Sequence, residues 1–279
     1  METLHVQIRE AKLKLFDFSS KTEMPDVEST YNSSSFSRYI LEKTLRYSAQ
    51  SAQNSKSVDS GGLVTHAFLT AERLSRSTVL DVGGGAGRLF FEIQNFVSTD
   101  PAQWDWRILE TEELVSTVQA FWPSRPENLH FEVSKSDFAP SDLPGLRSNL
   151  VVLFGSSLQY FSNPFLVLEN YLGLCPDAVL LLRTPVTTRQ ELVFGLQRSH
   201  LHDNGPQLPK AEMIEIAQSC GVGLKQSEYT RALIPKGQLI STFERFGYKT
   251  VFNSSEGRRG IKRFARLALQ NLDLIAYRN

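Results

Sequence analysis

The 279-residue chain is 41% hydrophobic and 22% charged, which excludes a wholly disordered, collagen-like or low-complexity protein. Its 30 Lys and Arg balance 30 Asp and Glu, so no global field draws it to nucleic acid or to an anionic membrane. Cys175 and Cys220 stand apart, with no CxxC pair and no clustered histidine, which supports neither a disulfide framework nor a bound metal. No apolar run reaches the roughly 18–20 residues of a membrane span. The opening Met1-Glu2-Thr3-Leu4-His5 lacks the basic and then apolar order of a signal peptide, so a soluble, cytoplasmic protein is expected.

In chain order, Ser33-Ser34-Ser35 precedes Phe36, Tyr39, Ile40 and Tyr47 at helical spacing. A Ser/Gln/Asn tract, Ser48 to Ser60, reads as a linker because it offers little apolar surface to offset its ordering entropy. Residues 1–60 are thus a helical extension, packed over the main domain or swinging above it, or else a loose tail. The main domain is expected over 61–279. A helix is predicted over Leu63 to Leu74, then a strand at Thr78-Val79-Leu80 ending in Asp81. Gly83 to Gly87 forms a turn, followed by Leu89, Phe90, Ile93, Phe96 and Val97 at helical spacing. Trp106 to Leu109 is the next strand, and Leu114, Val115, Val118, Phe121 and Trp122 share a helical face. Leu129 to Val133, Leu150 to Phe154 and Ala178 to Leu182 read as further strands. Asn163-Pro164 starts a helix, as N-cap and first helical residue. Residues 186–234 hold a polar stretch with one helical segment near Ala211 to Ser219. A helix from Pro235 to Phe246 stops at Gly247, and Tyr248 to Phe252 and Leu272 to Tyr277 are closing strands. Apolar strands alternating with amphipathic helices indicate an α/β fold, a mostly parallel, doubly wound sheet covered on both faces.

Asp81-Val82-Gly83-Gly84-Gly85-Ala86-Gly87 is the most informative segment. A strand ending in Asp and turning through alternate glycines presents a backbone rim without Cβ atoms, where the chain can take positive φ and a flat ligand can lie close. Dinucleotides and S-adenosylmethionine are the ligands that use such a rim. The dinucleotide pattern G-x-G-x-x-G/A fails in each frame. From Gly83 the third position is Arg88, from Gly85 it is Phe90, and from Gly84 the second position is Ala86. G-x-G-x-G after an acid is the methyltransferase form.

Ligands of open parallel sheets lie beyond the carboxyl ends of the strands, which confines the candidates to residues just past those ends. Glu110 closes the second strand, where its two oxygens can accept both ribose hydroxyls. It can equally favour the helix start with Glu112 and Glu113. Asp137 can accept from an adenine amino group with Phe138 against the ring, or the pair is a solvated loop. Gly155 and Ser156 follow the fourth strand on the cofactor side. Gln159 and Tyr160 lie farther on, where Tyr160 lines the methyl path, bonds the acceptor or simply packs on the sheet. Arg183, charged after an apolar run, pairs either with a substrate anion or with an internal acid such as Glu110 or Asp137. Gln159, Tyr160 and Arg183 are the candidates for positioning in catalysis. His66, His200 and His202 read as surface or packing residues, and no Ser-His-Asp order or metal set is present. The run Arg258 to Arg266 is either a solvated basic face or a contact for phosphate or a membrane surface.

The segment Asp81 to Gly87 resembles motif I of class I S-adenosylmethionine-dependent methyltransferases. Together with Phe154-Gly155-Ser156-Ser157-Leu158-Gln159-Tyr160-Phe161-Ser162-Asn163-Pro164 and Leu182-Arg183-Thr184-Pro185, it resembles a bacterial group of methyltransferases associated with surface-polysaccharide and O-antigen biosynthesis. The resemblance covers about residues 60–185. It implies a Rossmann-like, seven-stranded sheet with a reversed last strand and S-adenosyl-L-methionine as cofactor. Residues 186–234 fit that pattern poorly, and an acceptor, small molecule or saccharide, is expected to be recognised there. The expected activity is O-methylation of such an acceptor. The alternatives are a cofactor-binding protein without turnover and an NAD-dependent oxidoreductase.

Overall fold

The computed structural model describes residues 15–21, 33–53, 77–94, 104–134, 149–224, 226–255 and 270–278. Its elements in order are β1 (Leu15–Lys21), α1 (Ser34–Gln53), β2 (Thr78–Val82), α2 (Arg88–Gln94), β3 (Asp105–Glu110), α3 (Glu112–Phe121), β4 (Leu129–Val133) and β5 (Leu150–Gly155). After a short 3-10 turn at Leu158–Tyr160 come α4 (Pro164–Gly173), β6 (Ala178–Thr187) and β7 (Val193–His200). A second 3-10 turn at Leu201–Asp203 leads to α5 (Lys210–Ser219), β8 (Gln226–Pro235), α6 (Lys236–Arg245), β9 (Lys249–Ser255) and β10 (Gln270–Tyr277).

Strands β4, β3, β2, β5 and β6 lie side by side and parallel. β10 adds to β6 antiparallel, and β9 pairs with β10. This is an α/β, Rossmann-like sheet of seven strands with a reversed strand near its edge. Its parallel strands bury both faces, so they are apolar throughout. Alternation along them sorts side chains between two cores. Val79, Trp106, Ile108, Val151, Leu153 and Leu180 face α1, α2, α3 and α5. Leu80, Val82, Val152, Phe154 and Leu181 face α4 and α6. Asn163 caps α4, accepting from the Leu166 N–H at 3.1 Å, and Pro164 occupies the first helical position.

Three strands escape the sequence reading. β1 lies within the first 60 residues, and β7 and β8 lie within 186–234. They form an antiparallel unit, β1 against β7 and β7 against β8. β6 carries this unit. Its first half, Ala178 to Leu182, pairs with β5, whereas its end, Val186–Thr187, pairs with Ile234–Pro235 of β8. The other edge of β6 is occupied by β10 along its length, so β8 continues on the side where β5 has ended. The antiparallel unit therefore rises past the carboxyl end of β5, above the parallel sheet.

The Ser/Gln/Asn tract read as a linker is not one at its start, because α1 runs on to Gln53. The helix is anchored by its earlier turns, and Gln50 donates to Glu212 Oε2 at 2.8 Å. Phe36, Tyr39, Ile40, Leu41 and Tyr47 belong to the first core. The fully buried Lys43 donates to the carbonyls of His202 at 2.9 Å and Asn204 at 2.5 Å, and the Tyr39 hydroxyl donates to His202 O at 2.6 Å. The expected helix at Leu63 to Leu74, His66, Asp137, Phe138 and the basic run Arg258 to Arg266 lie outside the described residues.

Candidate active site at the carboxyl ends of the strands

The glycine turn leaves β2 with positive φ at Gly83 (66°), Gly85 (62°) and Gly87 (87°), conformations that side chains resist. Each glycine serves a different purpose. A Cβ on Gly83 would meet the Ser157 Cβ at 2.6 Å, so Gly83 admits the segment after β5. A Cβ on Gly84 would sit 2.5 and 2.8 Å from the Asp81 carboxyl oxygens. A Cβ on Gly87 would press on Ile108 at 3.1 Å, so that glycine serves helix–sheet packing. Gly85 is different: among the described residues only Ile40 Cγ2, at 3.9 Å, lies within reach. The open rim is at Gly85.

Asp81 is fully buried beneath this turn, and among the described residues no hydrogen bond reaches either carboxyl oxygen. Burial without a partner penalises the charged form, so its pKa rises from 3.8 to about 7. The nearby Trp106 indole lowers it without closing a hydrogen bond, Glu110 raises it, and Arg183 lowers it. Glu110 ends β3 beside the turn. Its Oε1 accepts the Gly85 N–H at 2.9 Å and its Oε2 the Thr111 N–H at 3.0 Å. Burial raises the Glu110 pKa, and the two backbone donors oppose the shift. Glu110 thus ties the glycine rim to the start of α3, which Thr111 caps. Each oxygen retains acceptor capacity beyond these bonds.

Past β5 the chain makes a second turn. Ser156 takes φ +72°, its N–H bonds Leu182 O at 3.0 Å, and the buried Ser157 hydroxyl donates to Val82 O. Ser157 falls in the stretch Gly155 to Tyr160 to which the sequence confines site residues, and its contact with Gly83 explains the glycine there. Arg183 sits in a β-bulge of β6 at φ +52°, where the register against β10 shifts between Leu272 and Leu274. Its N–H donates to Asp273 Oδ1 at 2.7 Å, and its guanidinium donates to Ser156 Oγ at 2.9 Å and Gly155 O at 3.5 Å. These bonds go to Asp273 and to backbone and hydroxyl partners after β5, while the expected partner Asp137 lies outside the described residues. Arg183 anchors the second turn.

Gln159 is buried and donates to Ser156 O at 2.6 Å, while its Oε1 has no hydrogen-bond partner. Tyr160 is 37% exposed and meets the Tyr229 ring of β8 edge-on, centroids 5.7 Å apart. The structure thus brings together Asp81, Gly83, Gly85, Gly87 and Glu110 at one turn, and Gly155, Ser156, Gln159 and Arg183 at the other. Ser157 joins the two. His200 and His202 lie together, ring centroids 5.0 Å apart, and burial lowers the His202 pKa. Among the described residues, no group of three or more His, Cys, Asp or Glu is placed to hold a metal, and no helix is long and apolar enough to cross a membrane.

No family model matches the chain, and no curated protein matches it significantly. Among solved structures it is similar to human N-acetylserotonin methyltransferase in complex with SAM, at 15% identity and TM-score 0.44 over 89% of this chain. The match spans 57% of that enzyme, little more than half its length. The CcbJ methyltransferase from Streptomyces caelestis matches at 15% identity and TM-score 0.48, covering 88% of this chain and 98% of that one. Magnesium protoporphyrin IX methyltransferase from Synechocystis PCC 6803, with bound SAH, matches at 13% identity and TM-score 0.46, covering 89% and 96%. The functional reading rests instead on the residues of the site.

Proposed function

We propose that this chain is an S-adenosylmethionine-dependent methyltransferase that methylates an oxygen of a saccharide or other small metabolite. The observation that carries the reading is the open rim at Gly85, held by Glu110 and underlain by the unpartnered carboxyl of Asp81. These residues fit the cofactor's chemistry. A cationic ligand offers the charge that a buried carboxyl lacks, and Glu110 has lone pairs left for ribose hydroxyls. The absence of a side chain at Gly85 leaves room for a flat group.

When bound, the cofactor supplies a methyl group activated on a sulfonium, and the protein supplies position and a dry electrostatic setting. Asp81 and Glu110 place two carboxyl groups at the rim, and a cation bound there would favour their charged forms. Gly155 lets the second turn approach, since a Cβ there would lie 2.9 Å from Leu89 and 3.8 Å from Asp81 Oδ1. Arg183 holds Ser156 and Gly155 in place. Gln159 and Tyr160 follow on the acceptor side. The failed dinucleotide spacing argues against a nicotinamide enzyme, since Arg88 and Phe90, both in α2, fall where a third small residue is required. Synthesis of a surface polysaccharide is the setting that the sequence resemblance suggests.

Thermal-shift scans with S-adenosylmethionine, S-adenosylhomocysteine and NAD(H), followed by transfer of a labelled methyl group to extract fractions, test this reading. The two adenosyl compounds should raise the midpoint by mass action. Stabilisation by NAD(H) alone would overturn the proposal. Cofactor binding without transfer to any fraction would leave a binding protein without turnover.

A further inference from the structure

Beyond the cofactor rim, the antiparallel unit carries a polar network that the strand pattern alone does not require. Phe194 and Ala232 on β7 and β8 belong to the core that includes Leu239 and Phe243 of α6. Alternation sends the intervening residues to the opposite face. Gln197 and Tyr229 are direct cross-strand partners there, and Arg231 lies opposite Gly195, two residues along. The Gln197 Nε2 donates to the Tyr229 hydroxyl, and Arg231 Nη1 donates to Gln197 Oε1 at 3.3 Å. Gln197 is fully buried and Tyr229 is 5% exposed. Such a chain fixes the Tyr229 ring, because each buried polar group would cost free energy if it turned away from its partner.

The fixed ring in turn braces Tyr160. Tyr160 follows β5 directly, stands edge-on to Tyr229, and is still more than a third exposed. It is the one ring among the exposed large hydrophobic side chains of the described residues that lies just past the carboxyl ends of the parallel strands. Ser157 touches Gly83, and Tyr160 is three residues farther, so at most about 11 Å of chain separates them. Tyr160 therefore leaves the chain close to Gly83, where the glycine turn begins. Beside it, the buried Gln159 Oε1 has no donor, although its own amide is held by Ser156 O.

We infer that Tyr160, braced by the Tyr229–Gln197–Arg231 chain, is the seat of the methyl acceptor, and that the acceptor is a ring-bearing molecule with a hydroxyl group. The exposed aromatic face takes a flat or apolar ring face, and Gln159 Oε1 offers an acceptor for its hydroxyl. An aromatic phenol and a pyranose share this chemistry. The inference rests on the methyltransferase reading, for only that reading places a second substrate beside the rim.

The test is ligand-observed saturation transfer with phenol and with methyl β-D-glucopyranoside, on protein loaded with S-adenosylhomocysteine. At least one probe should bind, and Tyr160→Ala should weaken it about tenfold or more while leaving S-adenosylhomocysteine affinity within twofold. Tyr229→Phe keeps the ring and removes the hydroxyl, so it should weaken the same probe less than Tyr160→Ala does. Binding of phenol alone marks an aromatic acceptor, and binding of the glucoside alone a saccharide. No binding by either probe, or binding that Tyr160→Ala leaves unchanged, overturns the seat. Failure of the wild type to bind S-adenosylhomocysteine overturns the methyltransferase reading instead.

Discussion

Asp81 is a carboxyl enclosed by apolar side chains and a glycine turn, and its titration gives a direct measure of that environment. Its pKa rises from 3.8 to about 7 on folding, so between those values the native state holds a proton that the unfolded chain has released. Its contribution to stability is thus lost as pH rises through that window, and is constant above it. Asp81→Asn removes the ionisable group with little change in shape. The variant should melt higher than wild type at pH 8, with the gap closing towards pH 4. Parallel melting profiles across that range would contradict the burial argument. Gly85→Val should lower the melting temperature, because φ +62° resists a branched side chain, yet leave a cooperatively melting protein, since among the described residues only Ile40 approaches it; binding of S-adenosylhomocysteine should be abolished. Gly84→Ala is the contrasting case. Its Cβ would strike the Asp81 carboxyl, and it should lower the melting temperature. Glu110→Ala removes two hydrogen bonds to backbone N–H groups as well as the expected ribose contact. Cofactor affinity should fall by about 1.5–3 kcal/mol, ten- to a hundredfold, in calorimetry. The residues of this rim were readable from sequence because a strand-terminal acid and alternate glycines are a local pattern. The dual bonding of Glu110 was not, since it depends on β3 lying in register beside β2.

Helix α1 is joined to the rest of the domain by both apolar and polar contacts. It contributes Phe36, Tyr39, Ile40, Leu41 and Tyr47 to the main core, and Ile40 stands over Gly85 and also over Gly205, where a Cβ would lie 3.3 Å away. A tail does not carry such contacts. Removing residues 1–56 should therefore abolish cooperative melting, because it strips the first core of a helix and the antiparallel unit of β1. A truncated protein that melts as the full chain does would refute this. Lys43→Ala leaves the carbonyls of His202 and Asn204 without their shared donor and should cost about 1–3 kcal/mol, measured by denaturant unfolding. The sequence showed the apolar face of α1 up to Tyr47 but not its continuation to Gln53, since Ser and Gln are poor evidence for a helix. β7 and β8 were hidden for a related reason. Gln197, Tyr229 and Arg231 place polar groups on a buried face, which breaks the alternation by which half-buried strands are recognised. The parallel strands were the easiest to find, because burial on both faces leaves them apolar throughout.

At the scale of the whole molecule, one sheet has two differently built halves. The parallel strands end in the glycine turn, Glu110 and the Ser156 turn, held by Arg183 and Asp273. The end of β6 then extends beyond β5 and carries the antiparallel unit upward beside those ends. A rigid base with an added wall is an arrangement in which the base can serve a general ligand and the wall a particular one. A seven-stranded sheet with a reversed last strand was expected from the resemblance carried by Asp81 to Gly87, Phe154 to Pro164 and Leu182 to Pro185, and the wall was not, because its pairing is long-range. The central claim is that the Gly85 rim binds S-adenosylmethionine. Isothermal titration of S-adenosylhomocysteine into wild type and Gly85→Val, both shown to melt cooperatively, tests it most directly. Saturable one-to-one binding to wild type and none to the variant is the predicted result. Equal binding to both proteins, or no binding to wild type, would contradict it.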